Sequence, residues 1–143
     1  MPTYLLDTSA WIAHILQEPG WELISTLLKS DEDQVSISAL SVIELHARLR
    51  SFGRQEEFSQ VLEDYRDLFI SVFPVDEPVA LRAVALRQIA TARVPTIDSL
   101  IAATAAHHNA ILVHRDSRFL EIPDDWLKQR FLAGEDRDAD PSR

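Results

Sequence analysis

Apolar residues in this chain come in short runs that stop at acidic or hydroxyl residues, and the spacing within the runs separates strands from helices. Thr3-Tyr4-Leu5-Leu6 predicts a short strand. It is followed at Asp7-Thr8-Ser9 by residues that cap helices, then by Ala10-Trp11-Ile12-Ala13-His14-Ile15-Leu16 at helical spacing. Pro19-Gly20 ends that helix, a second runs from Trp21 to Leu28, and the polar turn Asp31-Glu32-Asp33 leads into the strand Val35-Ser36-Ile37. Ala39 to Leu49 repeats apolar residues at helical intervals and stops near Gly53, and an amphipathic helix from about Gln55 to Phe69 completes a helical hairpin. Ile70 to Val75 predicts a strand, Glu77 to Ala92 a helix, Ser99 to His107 an alanine-rich helix, and Ile111 to Val113 a further strand. This alternation predicts an α/β fold with a central, mainly parallel β-sheet flanked by α-helices. The chain turns polar and charged from Ala133, so a single domain is expected over residues 1–132 and a flexible acidic tail over 133–143.

Four acidic residues interrupt the apolar stretches. Asp7 follows Tyr4-Leu5-Leu6, Glu44 sits within Val42-Ile43-Glu44-Leu45, Asp98 follows Val94-Pro95-Thr96-Ile97, and Asp116 closes Ile111-Leu112-Val113-His114-Arg115. A carboxylate is costly to bury unless it is paired or holds a cation, so four such placements ask for a common cause. Asp7 and Asp116 fall at the carboxyl ends of predicted strands, where ligands gather in parallel sheets.

Each of the four also has an ordinary structural use. Asp7 could cap the first helix, although Thr8 and Ser9 serve equally well there. Glu44 could pair with Arg48 one turn later, a contact of about 0.2–0.5 kcal/mol. With Thr96 as cap, Asp98 would oppose the helix dipole for about 0.3–1 kcal/mol. Asp116 could form an Asx turn. All four uses would have to hold independently, whereas one edge of a parallel sheet could gather all four carboxylates into a metal site.

Composition narrows the field. With 143 residues and 46% hydrophobic content the chain can build one core without staples, and the absence of cysteine removes disulfides and thiolate metal sites. There is no basic stretch leading into a long apolar run and no segment of about 20 apolar residues, so a soluble, cytoplasmic protein without membrane attachment is expected. The formal charge of −9 argues against sequence-independent nucleic-acid binding but not against a nuclease, because bound divalent cations reverse the sign locally. His114-Arg115-Asp116 is similar to a kinase catalytic loop, but the later asparagine is missing and Glu121 stands in its place. The other histidines lack the spacing of zinc proteases.

Four segments in order carry a resemblance. They are Leu5-Leu6-Asp7-Thr8-Ser9-Ala10, Ser41-Val42-Ile43-Glu44-Leu45, Asp98-Ser99-Leu100-Ile101-Ala102-Ala103-Thr104-Ala105, and Leu112-Val113-His114-Arg115-Asp116-Ser117-Arg118-Phe119. Over about residues 3 to 127 the chain resembles the PIN-domain nucleases, and among them the VapC-type toxins of toxin–antitoxin pairs. The resemblance implies a metal-dependent endoribonuclease whose catalytic quartet is Asp7, Glu44, Asp98 and Asp116, with Mg2+ (or Mn2+) held by Asp7, Asp98 and Asp116 and a bound water oriented by Glu44. Ser9 matches a hydroxyl position beside the first aspartate, and Arg115 and Arg118 flank the last one, where they could meet substrate phosphate. The resemblance further implies an RNA substrate, a homodimer, and a cognate VapB-type antitoxin that inserts a segment towards the acidic site. Trp11, Leu16 and Trp21, with the Leu45–Leu49 helix, are expected to line a groove for the partner's helix. Two other classes compete. One is a non-catalytic PIN-like binding module whose acidic cluster receives a partner's arginine. The other is a phospho-receiver-like signalling domain, which needs a lysine beyond a late strand where this chain offers only Lys29 and Lys128.

Overall fold

The protein is described by a computed structural model covering residues 1–91 and 93–132; the tail expected over 133–143 lies outside the described residues. Five strands, β1 (Thr3–Leu6), β2 (Gln34–Ser38), β3 (Ser71–Phe73), β4 (Ile111–His114) and β5 (Gln129–Phe131), pair in the order β3-β2-β1-β4-β5. Every pairing is parallel. The expected α/β fold with a central parallel sheet is therefore what forms.

Alternate residues of the inner strands point to opposite sides of the sheet, and this divides the core in two. Leu6, Val35, Ile37 and Val113 pack on one side with Trp11, Ile24, Leu45 and Leu49. These last four come from α1 (Thr8–Leu16), α2 (Trp21–Lys29) and α3 (Ala39–Ser51), and α4 (Phe58–Arg66) adds partly buried residues to the same cluster. Leu5 and Leu112 face the other way, onto Leu86 of α5 (Glu77–Ile89) and Ile101, Ala102 and Ala105 of α6 (Thr96–His107). Burial on both faces explains why β1 and β4 read as continuous apolar runs.

Local chemistry sets the helix ends. Ser38 caps α3 by accepting from the Leu40 amide at 3.2 Å, and Asp76 caps α5 by accepting from the Val79 amide at 3.2 Å. α1 stops at Gln17, which turns left-handed at φ 53°, and α2 starts after Gly20 at φ 97°. At Gly20 an added Cβ would lie 3.2 Å from Leu132 Cβ, so both the backbone angle and the close approach call for glycine.

The structure departs from the sequence-based expectations at several points. The stretch from Gln55 opens as a 3-10 turn (Gln55–Glu57) and becomes helical only over Phe58–Arg66. β3 is three residues long. α6 begins at Thr96, so Thr96 is its first helical residue and not its cap; the cap position is Pro95, which offers no side-chain bond. Thr8 and Ser9 likewise lie inside α1, and their hydroxyls serve the acidic residues described below. β5 and the 3-10 turn Ser117–Glu121 went unanticipated.

The expected docking groove needs correction in part, for Leu16 and Trp21 are half-buried but the rest of its lining is not open. Trp11, Leu45 and Leu49 are buried at 0%, 0% and 3% exposure, so they hold the core together and line no open surface. Trp11 meets Tyr65 and Phe69 edge to face, with ring centroids 5.7 and 5.3 Å away. Trp11→Ala should therefore lower folding stability by about 3–5 kcal/mol in urea unfolding, the cost of emptying a large aromatic site. A groove residue would instead leave the unfolding midpoint in place.

Candidate active site

β1 is the central strand, and the chain leaves it towards β2 on one side and returns to it through β4 on the other. Such a reversal opens a crevice at the carboxyl ends of the two strands. Asp7 follows β1 directly, and its amide donates to the Val113 carbonyl at 2.9 Å, locking it against β4. Its own carbonyl accepts from the Ala10 and Trp11 amides, both at 3.0 Å, which starts α1. α3 follows β2 without a gap and brings Glu44 to the same end, α6 supplies Asp98 from its first turn, and Asp116 lies two residues beyond β4. All four carboxylates line one cleft of about 410 Å³, with Thr8, Ser9, Arg48, Arg115, Ser117 and Arg118.

Asp7 occupies the N-cap position of α1, yet its side chain makes no capping hydrogen bond. It is 6% exposed, and burial, with the neighbouring Asp98 charge, pushes its carboxyl up to about 7 against the opposing pull of the Ser9 hydroxyl bond; Glu44 adds to the rise. Ser9 Oγ donates to Asp7 Oδ2 at 3.2 Å. Asp98 is raised as well, first by burial and then by Glu44 and Asp116, with Arg118 pulling the other way.

Glu44 is held by Thr8, whose hydroxyl donates to Oε1 at 2.6 Å. With its hydrogen given to Glu44, Thr8 Oγ1 accepts from Ser41 Oγ at 2.9 Å, making a directed chain Ser41 to Thr8 to Glu44. Among the described residues no ion pair joins Glu44 to Arg48, whose guanidinium carbon instead stands 5.6 Å from the centre of the Phe52 ring. Sequence reasoning treated Thr8 only as a possible cap and passed over Ser41 as a polar partner. The available signal was spacing, because Ser41 precedes Glu44 by three residues and shares its helix face.

Asp116 combines two roles. Its Oδ1 accepts from the Arg118 amide at 3.0 Å, the turn expected from sequence, and the Arg118 Nε lies 2.9 Å from both carboxylate oxygens. Arg118 Nη2 also bonds Asp116 Oδ2 and stands 3.5 Å from Asp98 Oδ2. Burial raises Asp116, but the Arg118 side-chain and backbone hydrogen bonds outweigh it and hold the carboxyl below its ordinary value. Arg115 pairs with Glu18 at 2.9 Å, a contact between the end of β4 and the segment after α1. Lys128 immediately precedes β5, at the amino end of the sheet and away from the acidic cleft, contrary to what a phospho-receiver needs.

The donor set is all oxygen: four carboxylates and nearby hydroxyls, which suits a hard divalent cation. The buried Asp7, crowded by like charges, is a group such an ion would compensate. Among the described residues, however, no three acidic or imidazole side chains converge into a ready cage. Mg2+ asks for none, since it keeps several waters and takes one or two carboxylates directly.

Residues 4–125 match the sequence profile of the family described as PIN domain. Among solved structures, DNA-bound VapBC from Salmonella typhimurium is similar at a TM-score of 0.75 and 19% identity, over 93% of this chain and 100% of that one. VapBC2 from Rickettsia felis bound to a promoter DNA fragment gives 0.73 and 20%, over 92% and 99%. FitAcB from Neisseria gonorrhoeae gives 0.66 and 26%, over 88% and 95%. Comparison with curated protein sequences gives no match. With the profile spanning most of the chain, and with a parallel sheet that gathers acidic residues from four segments at one end, the chain belongs to the PIN domain family.

Proposed function

We propose that the chain is a metal-dependent endoribonuclease and the toxin of a toxin–antitoxin pair, acting in the cytoplasm. One observation carries the chemistry: four carboxylates from four separate segments share one oxygen-lined cleft, and the most buried of them, Asp7, is pushed up by burial and by the charges of Asp98 and Glu44. Asp7 and Asp98 would make the direct contacts to Mg2+ or Mn2+, with Asp116 as a further ligand. When bound, the ion would supply an activated water and offset charge building on the scissile phosphate. Glu44, fixed by Thr8, keeps an oxygen available to orient a water. Ser9 sets the rotamer of Asp7 through its hydroxyl. Arg118, at the rim beside Asp98 and Asp116, is the arginine placed to meet an RNA phosphate once it lets go of the carboxylates; Arg115, tied to Glu18, would steady the strand end beneath it.

The toxin role is supported by the fold shared with VapBC and FitAcB. A VapB-type antitoxin is the partner this reading requires. A homodimer is supported by Leu81 and Val84, exposed at 62% and 56% on neighbouring positions of α5, an apolar surface a second copy would cover. Among the described residues no helix is long and apolar enough to cross a membrane. A second reading, a binding module whose acidic cluster receives a partner's arginine, is favoured by Arg118, a guanidinium already seated between Asp98 and Asp116.

The deciding assay uses the purified chain, freed of any partner, on a pool of transfer and ribosomal RNA. Discrete cleavage that needs Mg2+ or Mn2+ and falls on the order of 100-fold or more in Asp98→Asn, the scale of losing one preorganised electrostatic contact, is the expected result. Intact RNA in every lane would instead favour the binding module.

Metal and protons should compete at Asp7. Its carboxyl holds a proton up to about pH 7 in the folded chain but loses it near 3.8 in the unfolded one. Folding therefore takes up a proton in that window, and the stability this group supports is full below about pH 4 and drains as pH rises towards 7. In chelator-treated protein, the stability advantage of Asp7→Asn over the parent should grow across that window in thermal unfolding. Saturating Mg2+ should stabilise the parent and not the variant.

A further inference from the structure

His114, the last residue of β4, is fully buried, with ring centroids 5.1 Å from Phe119 and 5.6 Å from Phe131. The proposed chemistry does not use it. Its hydrogen bonds nevertheless have one solution. The Asp116 amide can only donate, so His114 Nδ1, 3.1 Å away, must accept. The imidazole is then neutral with its hydrogen on Nε2, which donates to Gln129 Oε1 at 2.8 Å. The orientation of the Gln129 amide follows: its Nε2 donates to the Phe119 carbonyl at 2.7 Å and to that of Ile122 at 3.4 Å. The Phe119 carbonyl lies in the middle of the 3-10 turn that starts after Asp116 and carries Arg118, and Ile122 closes that turn. One continuous path thus runs from β5 through the core to the backbone of Asp116, holding the turn at its start, its middle and its close.

We propose that His114 and Gln129 are positioning residues for Asp116: the imidazole holds the aspartate's amide, the glutamine fixes the imidazole's tautomer and tethers the turn, and together they aim the carboxylate into the cleft. The catalytic consequence rests on the nuclease reading above; the hydrogen-bond path does not. Partners of this kind, one bond removed from a metal ligand, typically change metal affinity or activity by about 10–100-fold when lost.

Two substitutions of His114 separate positioning from packing. His114→Asn places Oδ1 where Nδ1 lies and keeps an acceptor for the Asp116 amide. His114→Gln places an amide nitrogen near Nε2, keeps the Gln129 contact and leaves the Asp116 amide without an acceptor. Asn is one methylene smaller than Gln and leaves the larger hole in the core, so a role in packing alone would harm His114→Asn more than His114→Gln, the reverse of the order that positioning requires. The expected result is protection of the Asp116 amide from hydrogen exchange in the parent and His114→Asn, and loss of it in His114→Gln. Mg2+ affinity by calorimetry and RNA cleavage should fall about 10-fold or more in His114→Gln and only slightly in His114→Asn. Nitrogen-15 spectra of the parent imidazole should show hydrogen on Nε2 alone at neutral pH. Hydrogen on Nδ1, or the same exchange and Mg2+ affinity in the two variants, would overturn the proposal. If the parent cleaves no RNA, the nuclease reading fails by itself, and the imidazole spectrum with the exchange pattern still decides the positioning claim.

Discussion

The carboxylate of Asp7 cannot leave the place where it is most costly. Its amide is part of the β1–β4 ladder and its carbonyl starts α1, so the backbone on both sides belongs to the sheet and to the first helix. The side chain consequently points into the crevice beside the central strand at 6% exposure, where the Ser9 hydroxyl and the Thr8 backbone only partly offset its burial. An unpaired buried charge of this kind is resolved by taking a proton or a cation. The raised carboxyl is the first solution, and the neighbouring carboxylates create room for the second.

Asp116 stands at the opposite limit. It lies in the same cleft, but Arg118 neutralises it through side-chain and backbone hydrogen bonds, and its carboxyl is lowered where that of Asp7 is raised. Asp98 sits between them, pushed up by burial and like charge and pulled down by the edge of the same guanidinium. The cleft thus has a proton-holding inner end and a guanidinium-holding outer end. On the proposed metal chemistry, a divalent cation drawing on Asp98 and Asp116 together would have to displace Arg118, whose freed charge would then face an incoming phosphate. Among the described residues no three-group cage stands ready, and Asp116, one of the outer carboxylates, is already engaged by Arg118.

How far the sequence foretold this arrangement depended on the kind of signal each residue carries. β1 and β4 were legible because strands buried on both faces leave unbroken apolar runs, and the four carboxylates were legible because each broke such a run. β5 was not. Gln129-Arg130-Phe131 has one apolar residue in three, and it is a strand because β4 offers it a free edge. That polar edge strand contributes Gln129, so the path to Asp116 was hidden along with it. Thr8 was hidden for a different reason. A hydroxyl after an aspartate at a helix start looks like a cap, and only the packing of α3 against α1 shows that it reaches Glu44. Trp11 misled because an aromatic beside a candidate site suits a docking groove as well as a core, and burial alone separates the two.

The four carboxylates are therefore not equivalent groups. Glu44 has one oxygen committed to Thr8 at 2.6 Å, which fixes its orientation and leaves its second oxygen for a water. Asp7 contributes charge from a rigid, buried position, and Asp116 is aimed by an imidazole it touches only through its backbone. Affinity for a cation in such a site comes from converging negative charge more than from a preformed coordination shell. That favours an ion which keeps its own waters and tolerates an incomplete set of protein ligands, and it disfavours metals that demand nitrogen or sulfur. The buried imidazole behind Asp116 reinforces the distinction. His114 spends Nδ1 on the Asp116 amide and Nε2 on Gln129, so neither nitrogen is left to bind a metal.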